Sequence, residues 1–162
     1  MLKITPIQSK EEQQTLCGVC NIAYDHDCLA YRAYDDDRFL GMTQFRFGKG
    51  HGIIKNLVSA PGVEDFEAMF IMGRATMDFI DRIGCHICVC PVDAGDRRLL
   101  LSIGFRDAED GMMRADMTDM FSGHCGGHTV KKPDYPCSPR CFTKWKEAVS
   151  NAKLHLRQPL FF

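Results

Sequence analysis

No stretch of this chain approaches the roughly 18 consecutive apolar residues that a membrane-spanning helix needs. The opening MLKITPIQSKEE lacks the apolar centre of a secretion signal. Internal repeats, low-complexity runs and dense basic blocks are also absent, which argues against a repeat architecture and, on charge, against nucleic-acid binding. The expected setting is the cytoplasm, with neither membrane nor nucleic acid as a partner. A disulfide framework is not expected either. Nine cysteines is an odd number, and in a reducing compartment they serve as buried thiols or metal ligands.

What is present is 162 residues, 45% of them hydrophobic, enough for one domain with a proper core and a tail. Charge divides the chain. From Phe121 onward there are seven Lys/Arg against two Asp/Glu, which leaves 13 against 19 before it, so an acidic body carries a basic tail. The expected division is a domain over 1–120 and an extension over 121–162 packed on it.

LKITPI has strand composition, and Ser9 followed by Glu12 is a capping-box signature. It starts a helix that ends near Tyr24, with Leu16, Val19, Cys20 and Ala23 on one face. Cys28–Tyr34 and Phe39–Phe47 read as a hairpin around Asp35-Asp36-Asp37-Arg38, and HGIIKNLVSA follows as a strand closed by Pro61-Gly62. From Val63 to Ile83 the period becomes helical, with Phe66, Met69, Phe70, Gly73, Met77, Ile80 and Ile83 on one stripe and Gly84 as C-terminal cap. CHICVCPV is a short apolar strand that returns parallel to the one before, in a right-handed crossover. Asp93–Ile103 reads as a second helix closed by Gly104, and MMRADMTDM alternates like an edge strand. The order β-α-β-β-β-α-β-α-β describes a mixed α/β (α+β) sheet, antiparallel at its start with one central parallel pair.

Two groups of residues carry possible chemistry. Asp25, His26 and Asp27 form a loop triplet able to tune a general base and attract a cationic amine, and His51 heads the central strand. The alternative for the loop is ordinary solvation. In the tail, His124, Cys125, His128, Cys137 and Cys141 fall within 18 residues on Gly- and Pro-rich sequence. Cys125-x-x-His128 with Cys137-x-x-x-Cys141 would suit a tetrahedral zinc or iron ion, although no standard finger has this spacing. Cys17, Cys20, Cys85, Cys88 and Cys90 lie on regular elements and read as small buried hydrophobes, with Cys88 and Cys90 on one face of their strand and Cys85 on the other.

The order of elements, with AYDDDRFLGMTQF as strand-turn-strand, IIKNLVSAP as a strand closed by proline and Ser102-Ile103-Gly104-Phe105 as a helix end, resembles the GNAT superfamily of N-acetyltransferases over roughly Leu2 to Met120. The resemblance implies acetyl-CoA as co-substrate, a small-molecule or peptide amine as acceptor and direct transfer in a ternary complex. It places the pantetheine arm against the backbone of Leu57, Val58 and Ser59, where main-chain amides can also stabilise an oxyanion. On this reading His26 and His51 are the catalytic candidates.

The chain departs from the family where glycines and a cation should cradle the pyrophosphate, because that turn reads GVEDFEAM. Glu64 and Asp65 suit the dipole of a helix first turn and disfavour a phosphate. Leu100 stands where many members have tyrosine, Asp93 where many have asparagine, and Ile53 and Lys55 where many keep a glutamate. Lys131, Lys132, Arg140 and Lys144 of the tail are candidates to supply the missing cation. The competing expectations are a non-catalytic descendant of the fold, acting as a ligand-binding or interaction module with a metal-clamped tail, and, third, a plain ferredoxin-like domain. A homodimer is compatible with either of the first two.

Overall fold

The structure is a computed structural model that describes residues 1–121. The tail, with the ligand set His124, Cys125, His128, Cys137 and Cys141, the four tail cations and the extension's packing, lies outside the described residues.

The elements run β1 (Leu2–Pro6), α1 (Lys10–Val19), β2 (Leu29–Asp35), β3 (Arg38–Phe47), β4 (Gly52–Ser59), α2 (Phe66–Arg82), β5 (Ile87–Pro91), α3 (Arg97–Ile103), β6 (Arg106–Asp107) and β7 (Met112–Asp116). One seven-stranded sheet results, ordered β1-β2-β3-β4-β5-β7-β6. Its pairs are antiparallel except β4 with β5. This is the mixed sheet with a central parallel pair that the sequence implies. The two-residue β6 was not foreseen, and it displaces β7 from the edge by pairing outside it.

Local chemistry sets the element ends. The Ser9 side chain accepts from the Glu12 N–H at 3.2 Å, but the Glu12 carboxylate pairs with Arg32 of β2 instead of closing the capping box. α1 stops at Val19, short of the Tyr24 expected, because Asn21 takes a left-handed φ of 54°. Its buried side is Gln13 and Cys17, and Val19 is exposed. α2 starts at Phe66, three residues later than the period suggested, since the Asp65 carboxylate caps it by accepting from Ala68 N–H at 2.9 Å. Met69, Gly73, Met77 and Ile80 are buried as expected, joined by Met72 and Thr76, while Phe66 lies exposed at the helix mouth. α3 likewise starts at Arg97, not Asp93, capped by Asp96.

Two apolar clusters lie on opposite faces of the sheet. α2 and α3 cover the larger, in which Phe45, Ile54, Leu57, Met72, Met77, Ile80, Leu100 and Phe105 are fully buried. Close packing there needs missing side chains: a Cβ on Gly52 would stand 2.3 Å from the Ile80 side chain. α1 covers the smaller cluster of Ile7, Cys17, Ala30 and Met42. The cysteines behave as hydrophobes, and Cys85, placed on the opposite face by strand alternation, in fact precedes β5 and joins Cys88 and Cys90 in the larger cluster. Burial pushes the Cys90 thiol up to about 12 and the Cys88 thiol higher.

Candidate active site

β4 and β5 are hydrogen-bonded side by side only where Gly52 faces Cys88 and Ile53 faces Val89. β4 then runs on to Ser59 while β5 ends at Pro91. The chain after β5 bends back once to meet β4: Leu57 donates its N–H to the Ala94 oxygen at 2.7 Å, and Leu57 bridges Gly95. Gly95 is required there, because a Cβ would lie 2.4 Å from the Leu57 oxygen. Strand alternation turns the Ser59 amide to the same side as that of Leu57. Of the three positions expected to grip a pantetheine arm, Leu57 is buried with its amide engaged, and Val58 and Ser59 are half-buried.

Beyond Ser59, the turn Ala60–Asp65 leads into α2 with Gly62 at a φ of 71° and open space around it. Glu64 and Glu67 are exposed, and the Asp65 carboxylate occupies the helix mouth as cap. A cation does reach this end, from α3. The Arg98 guanidinium lies over the Phe66 ring, 5.0 Å from its centroid. Neighbouring Arg97 is instead committed to a two-pronged bond with Asp107 at 2.9 and 2.7 Å.

On the α1 face, a bulge breaks the β3–β4 register: Gln44 faces Asn56 and Phe45 faces Ile54, leaving Lys55 as the extra residue. Lys55 consequently reaches Asp25 in the linker between α1 and β2, and Asn56 meets the Gln44 side chain. Gln44, fully buried, is the hub. Its amide group donates to Ala23 O at 2.9 Å and Asn56 Oδ1 at 2.8 Å, and its oxygen accepts from Gln13 Nε2 at 3.0 Å and Asp25 N–H at 3.2 Å. Lys10 donates to the Cys28 carbonyl at 2.5 Å. The Lys55 ammonium meets Asp25 Oδ2 at 2.5 Å, and Asp27 N–H donates to Oδ1 at 3.0 Å. Asp25 is accordingly held below the ordinary carboxylate range, chiefly by Lys55. Desolvation, with the Asp25 charge beside it, pushes the buried Cys28 thiol up to about 12.

The two histidines are not brought to one place. His26 is exposed in the linker, with Nδ1 3.3 Å from the Tyr24 hydroxyl. His51 sits in the β3–β4 turn, Nδ1 3.1 Å from Lys49 O, at the opposite end of β4 and roughly 20 Å along the strand from Leu57. Asp25 is placed at the polar hub, while Asp27 and His26 point to solvent. Leu100 is part of the core. Among the described residues, no group of three or more His, Cys, Asp or Glu could hold a metal ion. Gln44 and Asn56 were missed from sequence. The available signal was an uncharged polar residue inside each of two apolar strands, LGMTQF and IIKNLV.

No protein-family model matches this chain, and no curated protein matches it. Solved structures do. The N-acetyltransferase PaiA of Thermoplasma acidophilum, crystallised with coenzyme A, superposes with a TM-score of 0.52 at 14% identity, over 72% of this chain and 99% of that one. YhhK of E. coli, described as an N-acetyl transferase and solved in solution with coenzyme A bound, gives 0.54 at 16% identity, over 71% and 98%. Element order, the parting of the parallel pair and these superpositions agree that the chain has the fold of the GNAT-type N-acetyltransferases.

Proposed function

We propose that this protein is an acetyl-CoA-dependent N-acetyltransferase that passes the acetyl group directly to an amine in a ternary complex. The observation that carries the reading is the strand gap: β4 continues through Ser59 after its ladder with β5 ends at Ile53. Backbone groups beside such a gap can hold an extended amide-bearing arm whatever their side chains are. That both structural neighbours hold coenzyme A adds support.

The residues present fit the arm better than the phosphates. Ser59 offers strand backbone on the gap side, while that of Val58 alternates toward β3, and at the mouth of α2 the Ala68 amide already has the Asp65 carboxylate as partner. Arg98 is the described cation placed to offset the charge of that mouth. Acetyl-CoA supplies the activated acyl group. The protein's part is to hold the thioester in the gap, shield it from water and present an amine from the α1 face, where the ordered linker lies. Neither histidine is suited by position to be the sole base for that amine. Proton loss through ordered water is the route this geometry favours.

The test is thermal unfolding with and without coenzyme A, because a ligand that binds only the folded state raises the midpoint, combined with release of free coenzyme A from acetyl-CoA over a panel of amines. A rise in midpoint with amine-dependent thiol release is expected. Absence of both would defeat the proposal and leave the second reading, a non-catalytic binding module. That reading draws its own support from the Leu57–Ala94 bond and the Asp65 cap, which occupy two groups a cofactor would use.

A further inference from the structure

Lys55 is an unusual tenant of its site. It is the extra residue of the bulge, two positions past the last β4–β5 pair at Ile53, on the part of β4 whose ladder with β5 has ended, and its side chain reaches Asp25 of the linker. Its partner is built far more firmly than a surface ion pair requires. Asp25 is fixed through its own N–H on Gln44, through Asp27 N–H on its carboxylate and by the neighbouring Cys28 thiol. Gln44 is in turn clamped by Gln13, Ala23 and Asn56. The Asp25 side chain is only 18% exposed and that of Lys55 38%. One partner is therefore anchored, and the other is an ammonium on a flexible four-carbon stem with a way out to water.

A preorganised carboxylate gripping the end of an alkyl chain is a binding site for alkylammonium, and the chain that fills it here is the protein's own. Lys55 can swing out without breaking any of the hydrogen bonds that hold Asp25. Two ammonium groups cannot share one carboxylate at contact distance without repelling each other, so an entering cation and Lys55 exclude one another. A neutral alcohol of the same length offers Asp25 a single hydrogen bond and no charge in exchange for the lost pair.

We propose that the Asp25 carboxylate seats the ammonium group of the acceptor, that Lys55 fills this seat in the free protein, and that the acceptor is a primary alkylammonium entering by displacing Lys55; before attack its nitrogen leaves the carboxylate and gives its proton to water. The word acceptor rests on the N-acetyltransferase reading, but the seat itself is testable without it.

The first experiment titrates n-butylammonium chloride into the full-length protein without acetyl-CoA, with sodium chloride and n-butanol as controls, comparing wild type with Lys55→Met, Lys55→Gln and the double variant Lys55→Met with Asp25→Asn. Removing the internal competitor should tighten n-butylammonium binding about tenfold in Lys55→Met, the size of effect one displaced ion pair can have. Lys55→Gln should follow it, the double variant should lose binding, and n-butanol should not bind. Equal affinity in wild type and Lys55→Met, or undiminished binding by the double variant, overturns the proposal. Should the variants unfold, wild-type protein labelled with 15N-lysine decides: n-butylammonium should shift the Lys55 ammonium signal to that of a free lysine, and an unmoved signal overturns the proposal.

The second experiment separates this inference from the reading beneath it. With acetyl-CoA present, Asp25→Asn should raise the KM for a primary amine with little change in kcat or in acetyl-CoA affinity. Transfer with an unchanged KM removes the seat and keeps the enzyme. Binding of n-butylammonium without any transfer keeps the seat and removes the enzyme.

Discussion

Gln44 and Phe45 are neighbours in β3, both fully buried, and they point to opposite faces with opposite consequences. Phe45 enters the α2 face, where it packs against Tyr31, Phe47 and Phe79 at ring-centroid distances of 5.3 to 6.3 Å. That contact is dispersion and water exclusion, which many apolar side chains of similar size would supply. Gln44 enters the α1 face and has four hydrogen-bond partners, two of them backbone groups of the linker. Burying a polar amide is unfavourable unless every group is satisfied. Among the described residues, no buried side-chain nitrogen or oxygen lacks a partner. One face therefore holds the sheet together, while the other spends a buried polar residue on fixing the position of the nine-residue linker between α1 and β2. Stability alone does not call for the second arrangement, and it lies beside the strand gap.

The largest loss is expected at Phe45. Truncation to alanine should cost about 3–5 kcal/mol in denaturant unfolding, the usual range for a buried aromatic, while the linker keeps its amide-exchange protection relative to the global opening. Gln44→Leu keeps the volume and removes the hub, stranding Asp25 N–H and Ala23 O. A loss of about 1–3 kcal/mol is expected, with faster amide exchange confined to residues 21–28. Should Gln44→Leu prove neutral and leave that exchange unchanged, the claim that Gln44 orders the linker fails.

Asp65 distinguishes helix chemistry from ligand chemistry at the other end of the gap. Asp65→Ala should lose about 1 kcal/mol through the missing cap. Asp65→Ser keeps a cap while removing a negative charge, so it should hold stability and increase the thermal shift produced by coenzyme A. A smaller shift in Asp65→Ser would show that the carboxylate does not oppose the ligand.

The smallest effect is expected from the Asp25–Lys55 pair under acid. The folded-state pKa of Asp25 is lowered, first by Lys55, so its contribution is present above the ordinary carboxylate value of 3.8 and fades as pH falls through the lower folded value. Because Lys55 is more than a third exposed, screening keeps this below about 1 kcal/mol. Asp25→Asn should flatten that part of the pH–stability curve below pH 4 and leave the curve above pH 5 parallel to wild type. An identical acid limb in both proteins would show that the pair adds nothing.

Much of the fold was legible because its signals are local. Aromatic and aliphatic runs bounded by polar, glycine and proline turns located β2, β3 and β4, the helical period located α2, and Gly84 and Gly104 mark the helix ends at φ of 97° and 121°. Helix starts were read too early at Val63 and Asp93 because capping aspartates lie inside runs whose polarity also suits a first turn. Placing Val19 and Phe66 inside failed for a related reason: a periodic stripe states which residues share a side and not how far along the helix the partner surface extends. The site was less legible. Asp25 was visible as one member of a polar loop, but its separation from His26 and Asp27 depends on which residue Gln44 reaches.

By itself, the sequence determined an acidic body, strands and helices in an order that makes a mixed sheet, and thiols suited to a core rather than to disulfides. Those follow from side-chain chemistry and short-range periodicity. Tertiary structure alone decided that β4 and β5 part after Ile53, that Ala94 returns to Leu57, and that a bulge sends Lys55 and Asn56 to one face. Each depends on register between segments 12 to 40 residues apart, where moving the pairing by one position reverses every side chain.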